Sequence, residues 1–303
     1  MRNVPILFAL SSFFFSWTGC KPEPPSPSEI RIHQEFSSVH VAPHRLEIYL
    51  PEGYSSSRRK HFPVVYMHDG QYLFYGDSLN WSNAWGIDSI MDTLVSAKMI
   101  LPAILVGIGS TERRLLEYMP KKGADQFPDS TKEIFSSIYN TSPESDQYLR
   151  YIVEEVKPFV DSVYRTKPDP AHTFIAGSTM GGLISLYAIT EYPDVFGGAA
   201  CIATHWPLAP QDVHPDAARA MVDALGKRLP DPAGHRIYFD YWIENGASIF
   251  EPYQKRMDEH MASRGYVQPG NWKTLGFDTP MITMQGWRQE LHHALEFLLV
   301  TSD

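Results

Sequence analysis

At 303 residues the chain is long enough for one large domain or two small ones. Its 43% hydrophobic and 20% charged residues exclude disorder as the main state, and a net charge of −9 excludes a general nucleic-acid binder. Two cysteines exclude a disulfide framework or a structural zinc site, whereas twelve histidines are ample stock for acid–base chemistry.

Arg2 and the apolar run Val4–Trp17 read as an export signal. The run is too short for a membrane span, which needs about 20 apolar residues. It ends in Trp17-Thr18-Gly19-Cys20, which resembles the bacterial lipobox that lipidates its Cys, although Trp17 departs from the usual aliphatic residue. An ordinary secretory signal with an incidental Cys is the alternative. The Pro/Ser-rich stretch that follows reads as a tether. The organisation expected is a signal over 1–19, a tether over 20–29 and one domain over 30–303. Acyl chains on Cys20, anchoring through methylenes worth ~0.8 kcal/mol each, would hold that domain at a bacterial envelope membrane.

Beyond Ile30 the pattern alternates. Val39–Leu50 predicts an early strand or hairpin, and Phe62–Met67 a short strand that stops at His68-Asp69-Gly70-Gln71. Helical spacing covers Trp85–Ala97, a buried strand Ala103–Ile108, and a long amphipathic helix Asp146–Tyr164. A strand at Thr173–Ala176 runs into Gly-Ser-Thr-Met-Gly-Gly and a helix to about Glu191. Further strands are expected at Gly198–Thr204, Arg236–Tyr241 and Trp272–Phe277, and helices at Glu251–Arg264 and Arg288–Leu299. Cys201 falls in an apolar run as a buried strand residue, and His205–Pro232 reads as an insertion or lid. Strands alternating with such helices imply an α/β fold, a mostly parallel sheet covered on both faces, with sites at the carboxyl ends of the strands.

Gly177-Ser178-Thr179-Met180-Gly181 follows a strand and opens a helix, the context of a nucleophile elbow, G-x-S-x-G. The run from Phe174 to Pro207 resembles the putative-esterase family of α/β hydrolases, which includes feruloyl, acetyl-xylan and enterochelin esterases and mycolyltransferases. "PVVYMHDGQYLF" (Pro63–Phe74) resembles that family's oxyanion loop. "YFDY" (Tyr238–Tyr241), "EPYQKRMD" (Glu251–Asp258) and "LHHALEFLL" (Leu291–Leu299) resemble its C-terminal third. The resemblance implies an α/β-hydrolase fold and a carboxylic-ester hydrolase, with a Ser nucleophile, an acid after the next-to-last strand and a His after the last.

Each of these positions departs from the family pattern. The elbow residue is Thr179, and a β-branched residue in strained elbow backbone is an outlier whose methyl would crowd the incoming carbonyl. Ser178 is a poor substitute, since Ala176 and Met180 would then stand where glycines belong. Relatives read "F-x-G-x-D-H-S-x-x-x-W" after the last strand. Here "FDTPMITMQGW" (Phe277–Trp287) puts Ile282 at the His position and Met281 before it. His292 and His293 fall inside the last helix, and His292 reads as structural. For the acid, relatives read "YFDYGTE-x-x-D", whereas this chain retains Glu244 and places Ala247 at the later Asp position.

His68 and His205 both follow strands and either would be a rescue base, against loop or hydrogen-bonding roles. No ligand spacing supports a metal, and no cofactor is called for. Asp69 is expected to fix its loop by Asx-type bonding. The oxyanion donors expected are backbone N–H groups of Met180 and of Gly70–Gln71. His68, Asp69, Trp206 and Trp242 are expected at the pocket, within a wider aromatic set of Tyr72, Phe74, Tyr75, Trp81 and Trp85 that would suit a glycan or phenolic acyl group. Two readings of different class stand: a weak or non-catalytic relative that binds an ester or glycan, which the residues favour, and an active esterase using Thr179 with a non-standard base.

Overall fold

The computed structural model describes residues 26–56, 58–74, 84–133, 141–206, 215–244, 246–278 and 284–300. Eight strands form one sheet: β1 (Glu29–Phe36), β2 (His44–Leu50), β3 (Val64–His68), β4 (Ile104–Ile108), β5 (Thr173–Ser178), β6 (Gly198–Ile202), β7 (Arg236–Trp242) and β8 (Trp272–Phe277). Their order is β1-β2-β4-β3-β5-β6-β7-β8. β1 and β2 pair antiparallel, as do β2 and β4, and every pair from β4 to β8 is parallel.

The inner strands are apolar runs because both of their faces are covered. Alternate residues serve two separate cores. Tyr66, Ile175, Cys201 and Phe239 face one side, and Val65, Ala176, Ala200 and Tyr238 the other. Cys201 is therefore a buried strand residue, as its apolar context implies. The second face is closed by helices α1 (Ile87–Ser96) and α8 (Met284–Leu298), through residues such as Met91, Leu291 and Leu295. On the first face lie α2 (Arg114–Tyr118), α3 (Ser145–Arg150), α4 (Lys157–Val163), α5 (Met180–Glu191), α6 (Pro215–Gly226) and α7 (Glu251–Ser263).

Three local features differ from the sequence expectation. The single helix over Asp146–Tyr164 is instead α3, a π-helical stretch at Tyr151–Val156, and α4. Pro158 in the first turn of α4 has no N–H for the preceding turn, and the ladder widens just before it. β1 begins at Glu29, inside the expected tether, and Ser26 already accepts a hydrogen bond from the Gly53 N–H. The second half of the expected lid is not a lid: α6 buries Ala217, Ala218, Met221, Val222 and Leu225 in the core, while residues 207–214 lie outside the described residues. Cys20, Tyr75, Trp81, Met281 and Ile282 also lie outside them. Among the described residues no helix is long and apolar enough to cross a membrane.

The chain reverses its direction of travel across the sheet between β3 and β5, since β3 has β4 on one side and β5 on the other. A crevice opens at such a switch point, at the carboxyl ends of the strands. The residues that follow β3, β5 and β6 therefore meet at one edge.

Candidate active site

Three non-glycine residues at that edge hold positive φ: Asp69 after β3 (59°), Thr179 after β5 (56°) and Ala203 after β6 (43°). Such backbone costs about 1–3 kcal/mol per residue and persists only where its surroundings over-determine it. At Thr179 they do. Its N–H donates to Ile202 O (2.9 Å), and its carbonyl accepts from Leu183 N–H and His205 N–H, each at 3.2 Å. The elbow glycines explain the tight turn. A Cβ on Gly177 would stand 2.6 Å from the backbone of Gly181, and one on Gly182 3.0 Å from Ile202 O. Thr179 thus occupies the nucleophile position in elbow backbone despite its β-branch, half-exposed at the crevice. Ser178, buried in β5 with its hydroxyl unpaired, is no substitute.

Among the described residues, the side chain in hydrogen-bond reach of the Thr179 hydroxyl belongs to Arg114, whose Nη2 lies 3.4 Å from Oγ1. Arg114 comes from α2 and is clamped by two 2.7 Å hydrogen bonds to the Asp69 carboxylate. Burial works against its charge, but the Asp69 partner outweighs this and its pKa is raised. The guanidinium also lies over the Tyr118 ring, 4.9 Å from its centre. Asp69 therefore fixes the loop by an ion pair with Arg114 rather than by the Asx-type bonding expected from sequence. Arg114 itself gave no signal there, because its partner is 45 positions away in the chain.

Of the rescue candidates, His68 is the wrong one. It is 1% exposed and sits behind the elbow, its Nδ1 2.8 Å from the Tyr148 hydroxyl. Burial first, then the Arg114 charge and His44, push its pKa down to about 3, so it is a neutral wall residue and not a pocket residue. His205 follows β6, half-buried, its ring against Phe250 at 6.1 Å. Burial and then the Arg114 charge lower its pKa, which keeps the imidazole neutral beside the site. Among the described residues its ring makes no hydrogen bond to Thr179. His292 and His293 lie in α8, on the opposite face of the sheet from α5.

The acid candidates lie on the turn after β7. Glu244 and Ala247 are exposed and exchange backbone hydrogen bonds with each other across the turn after β7, at 2.7 and 3.0 Å. The carboxylate that sequence reasoning missed is Asp240 within β7, 1% exposed. Its Oδ1 accepts from Ala203 N–H at 2.6 Å and so pins the strained turn that leads to His205. Burial raises its pKa to about 7. A charged residue inside the apolar strand "YFDYW" was the available signal.

The loop expected to supply oxyanion donors is a tight turn packed on the sheet. Gly70–Tyr72 forms a 3-10 turn, and a Cβ on Gly70 would lie 2.6 Å from Gly107 C, so the loop can rest on β4 only with glycine there. Gln71 is locked by two hydrogen bonds to Ser110, at 2.7 and 2.9 Å. Met180 opens α5, where first-turn N–H groups have no partner within the helix. The expected aromatic lining is largely core. Trp206 is 1% exposed and donates to Gln254 Oε1, and Trp242 is buried and donates to Glu290 Oε2. Phe74 and Trp85 are buried as well, while Tyr72 is exposed.

Comparison with known proteins bears on the family and the fold. The uncharacterized protein YbbA of Bacillus subtilis is 24% identical over 254 residues, covering 82% of this chain and 86% of that one. The endo-1,4-beta-xylanase/feruloyl esterase of Xylanibacter ruminicola is 25% identical over 154 residues, half of this chain and 18% of that protein. A ferulic acid esterase structure covers 90% of this chain and 98% of its own at a TM-score of 0.63 and 16% identity. An IroE-like serine hydrolase from Shewanella oneidensis covers 91% of this chain and 82% of its own at 0.63 and 18%. Residues 40–260 match the family model described as "Putative esterase", so with its elbow at Thr179 and its mostly parallel sheet this chain belongs to that family of α/β hydrolases.

Proposed function

We propose that this esterase-family protein binds a carboxylic ester, or the acid or glycan that carries one, with at most vestigial hydrolysis. One observation carries the reading: among the described residues, the group facing the Thr179 hydroxyl is the Arg114 guanidinium, which has no lone pair and stays protonated, so it cannot take the proton that a nucleophilic attack releases. The triad reads as degenerate at Thr179 and at Ile282, with the acid position reduced to exposed Glu244 and Ala247. What survives suits binding. Arg114, held by Asp69, offers a positive fork to a carboxylate or polarised carbonyl, and the turn at Gly70–Gln71 and the start of α5 offer backbone donors. The names of the relatives, feruloyl and ferulic acid esterases, favour an ester of a phenolic acid as the ligand class.

An active esterase is the second reading. Its support is neutral His205, tied by its own backbone to Thr179 and available as a base. Hydrolysis of p-nitrophenyl acetate and methyl ferulate separates the two. Under the binding reading Thr179→Ala and His205→Ala leave the slow wild-type rate within about twofold, because oxyanion donors and binding alone supply it. A rate that collapses in both variants establishes the second reading.

We further propose attachment to a bacterial envelope membrane by lipid on Cys20, supported by the lipobox-like Trp17–Cys20 and the Pro/Ser-rich stretch after it. Cells fed labelled palmitate are expected to label the full-length chain and not its Cys20→Ala variant; equal labelling sinks the anchor.

A further inference from the structure

His292, His293 and Glu296 bring one ligand atom each within 4.8 Å of one another on α8. Adjacent helical residues point about 100° apart, yet the two imidazoles are turned together, with ring centres 3.8 Å apart. Glu296 is one turn on from His292, on the same stripe of the helix. All three side chains are half-buried. Glu296 Oε1 is inaccessible to solvent and has no hydrogen-bond partner. Neither imidazole hydrogen-bonds to any described residue. A buried carboxylate oxygen and two imidazoles that converge without satisfying one another make an unfinished arrangement, since buried polar atoms ordinarily find partners.

We propose that His292, His293 and Glu296 form a metal site for a borderline divalent cation such as Zn2+. Two imidazoles and one carboxylate are a donor set that suits zinc and leaves a position open for water. Zinc-bound nitrogens and oxygens stand about 3.4 Å apart in a tetrahedral site, so side chains already within 4.8 Å close on the ion by small rotations. The Phe277 ring, at the end of β8, stacks on His293 at 5.5 Å and 17°, which holds that imidazole in place from outside the helix. Lys273 of β8 is the facing cation, and its charge moderates affinity for a dication. The site lies between the last helix and the edge strand, on the other side of the sheet from the elbow helix. All three ligands come from α8, so the site is independent of any chemistry at Thr179.

The test is calorimetric titration of Zn2+ into the purified protein after chelator treatment, with visible absorption of Co2+ as a spectroscopic probe. One saturable equivalent is expected, with at least tenfold weaker binding in His292→Gln/His293→Gln. Glu296→Gln, nearly isosteric, is expected to weaken binding at least tenfold too and decides the matter if the double variant does not fold by circular dichroism. No saturable binding by the wild type, or equal affinity in Glu296→Gln, overturns the site.

Discussion

The Thr179→Ser/Ile282→His double variant is expected to hydrolyse p-nitrophenyl acetate at least about 10³-fold faster than the wild-type chain, since loss of a triad Ser or His costs on the order of 10⁶-fold in kcat. Under the proposed reading the substitutions address two separate defects. Serine removes the methyl that crowds an incoming carbonyl while keeping the hydroxyl in an elbow the backbone already holds at φ 56°. Histidine at 282 supplies the lone pair that Arg114 lacks. The placement of Ile282 rests on the register between Phe277 and Trp287. Adding Ala247→Asp is expected to give less, because Ala247 is exposed, bridged to Glu244 across the turn after β7. The single Thr179→Ser change is expected to stay near the wild-type rate, since a better hydroxyl without a base remains weak. If the folded double variant shows no gain, the surviving oxyanion loop and elbow are not esterase machinery, and the decayed-triad reading fails.

The second large effect is on stability. Asp240→Asn is expected to stabilise the protein by about 2–4 kcal/mol at pH 8 and by little at pH 4. Burial raises the Asp240 pKa from 3.8 to about 7. Below pH 4 the carboxyl is protonated in both folded and unfolded chains, and nothing is lost. Between about 4 and 7 the unfolded chain releases the proton while the folded chain keeps it, so stability falls as pH rises. Above 7 the loss is complete, and the gap between the two pKa values corresponds to about 4 kcal/mol. Asparagine carries no charge at any pH. Its carbonyl can still accept from Ala203 N–H, and its amide can donate to the neighbouring Tyr238 hydroxyl, which lacks a well-aligned partner in the wild type. Urea denaturation at pH 4 and pH 8 reads the difference directly. An equal change at both pH values would show that Asp240 is not the buried acid described.

The two effects meet structurally. Asp240 holds Ala203, and the residue two positions beyond Ala203 donates its backbone N–H to Thr179. The elbow is thus braced from β7 through β6. This explains how a β-branched residue persists there: the strain at Thr179 is borne by hydrogen bonds to Ile202, Leu183 and His205 and not by the residue's own preference.

Sequence alone determined the fold class, the strands from β3 to β8 and the elbow. Those strands are covered on both faces, so they must be continuous apolar runs, and such runs are visible without partners. The elbow is visible because a Cβ on Gly177 would run into the backbone of Gly181 and one on Gly182 would crowd Ile202 O, so the turn keeps its glycines. The position expected for the family's histidine is read the same way, from the spacing between Phe277 and Trp287, which puts Ile282 there. β1 was not visible: it is an edge strand of mixed, mostly polar residues whose pairing partner supplies its only order. Nor could sequence tell which aromatics line a crevice, because the side of a strand end that Trp206 or Trp242 takes depends on Gln254 and Glu290, each 48 positions away. Only the tertiary structure put Arg114 and Asp69 at the Thr179 hydroxyl, Asp240 beneath Ala203, and two histidines with a glutamate on the far face. Periodicity along the chain records burial, which each residue carries in its own chemistry. The pairing of charges belongs to residues far apart in sequence, and nothing in either one names the other until the chain has folded.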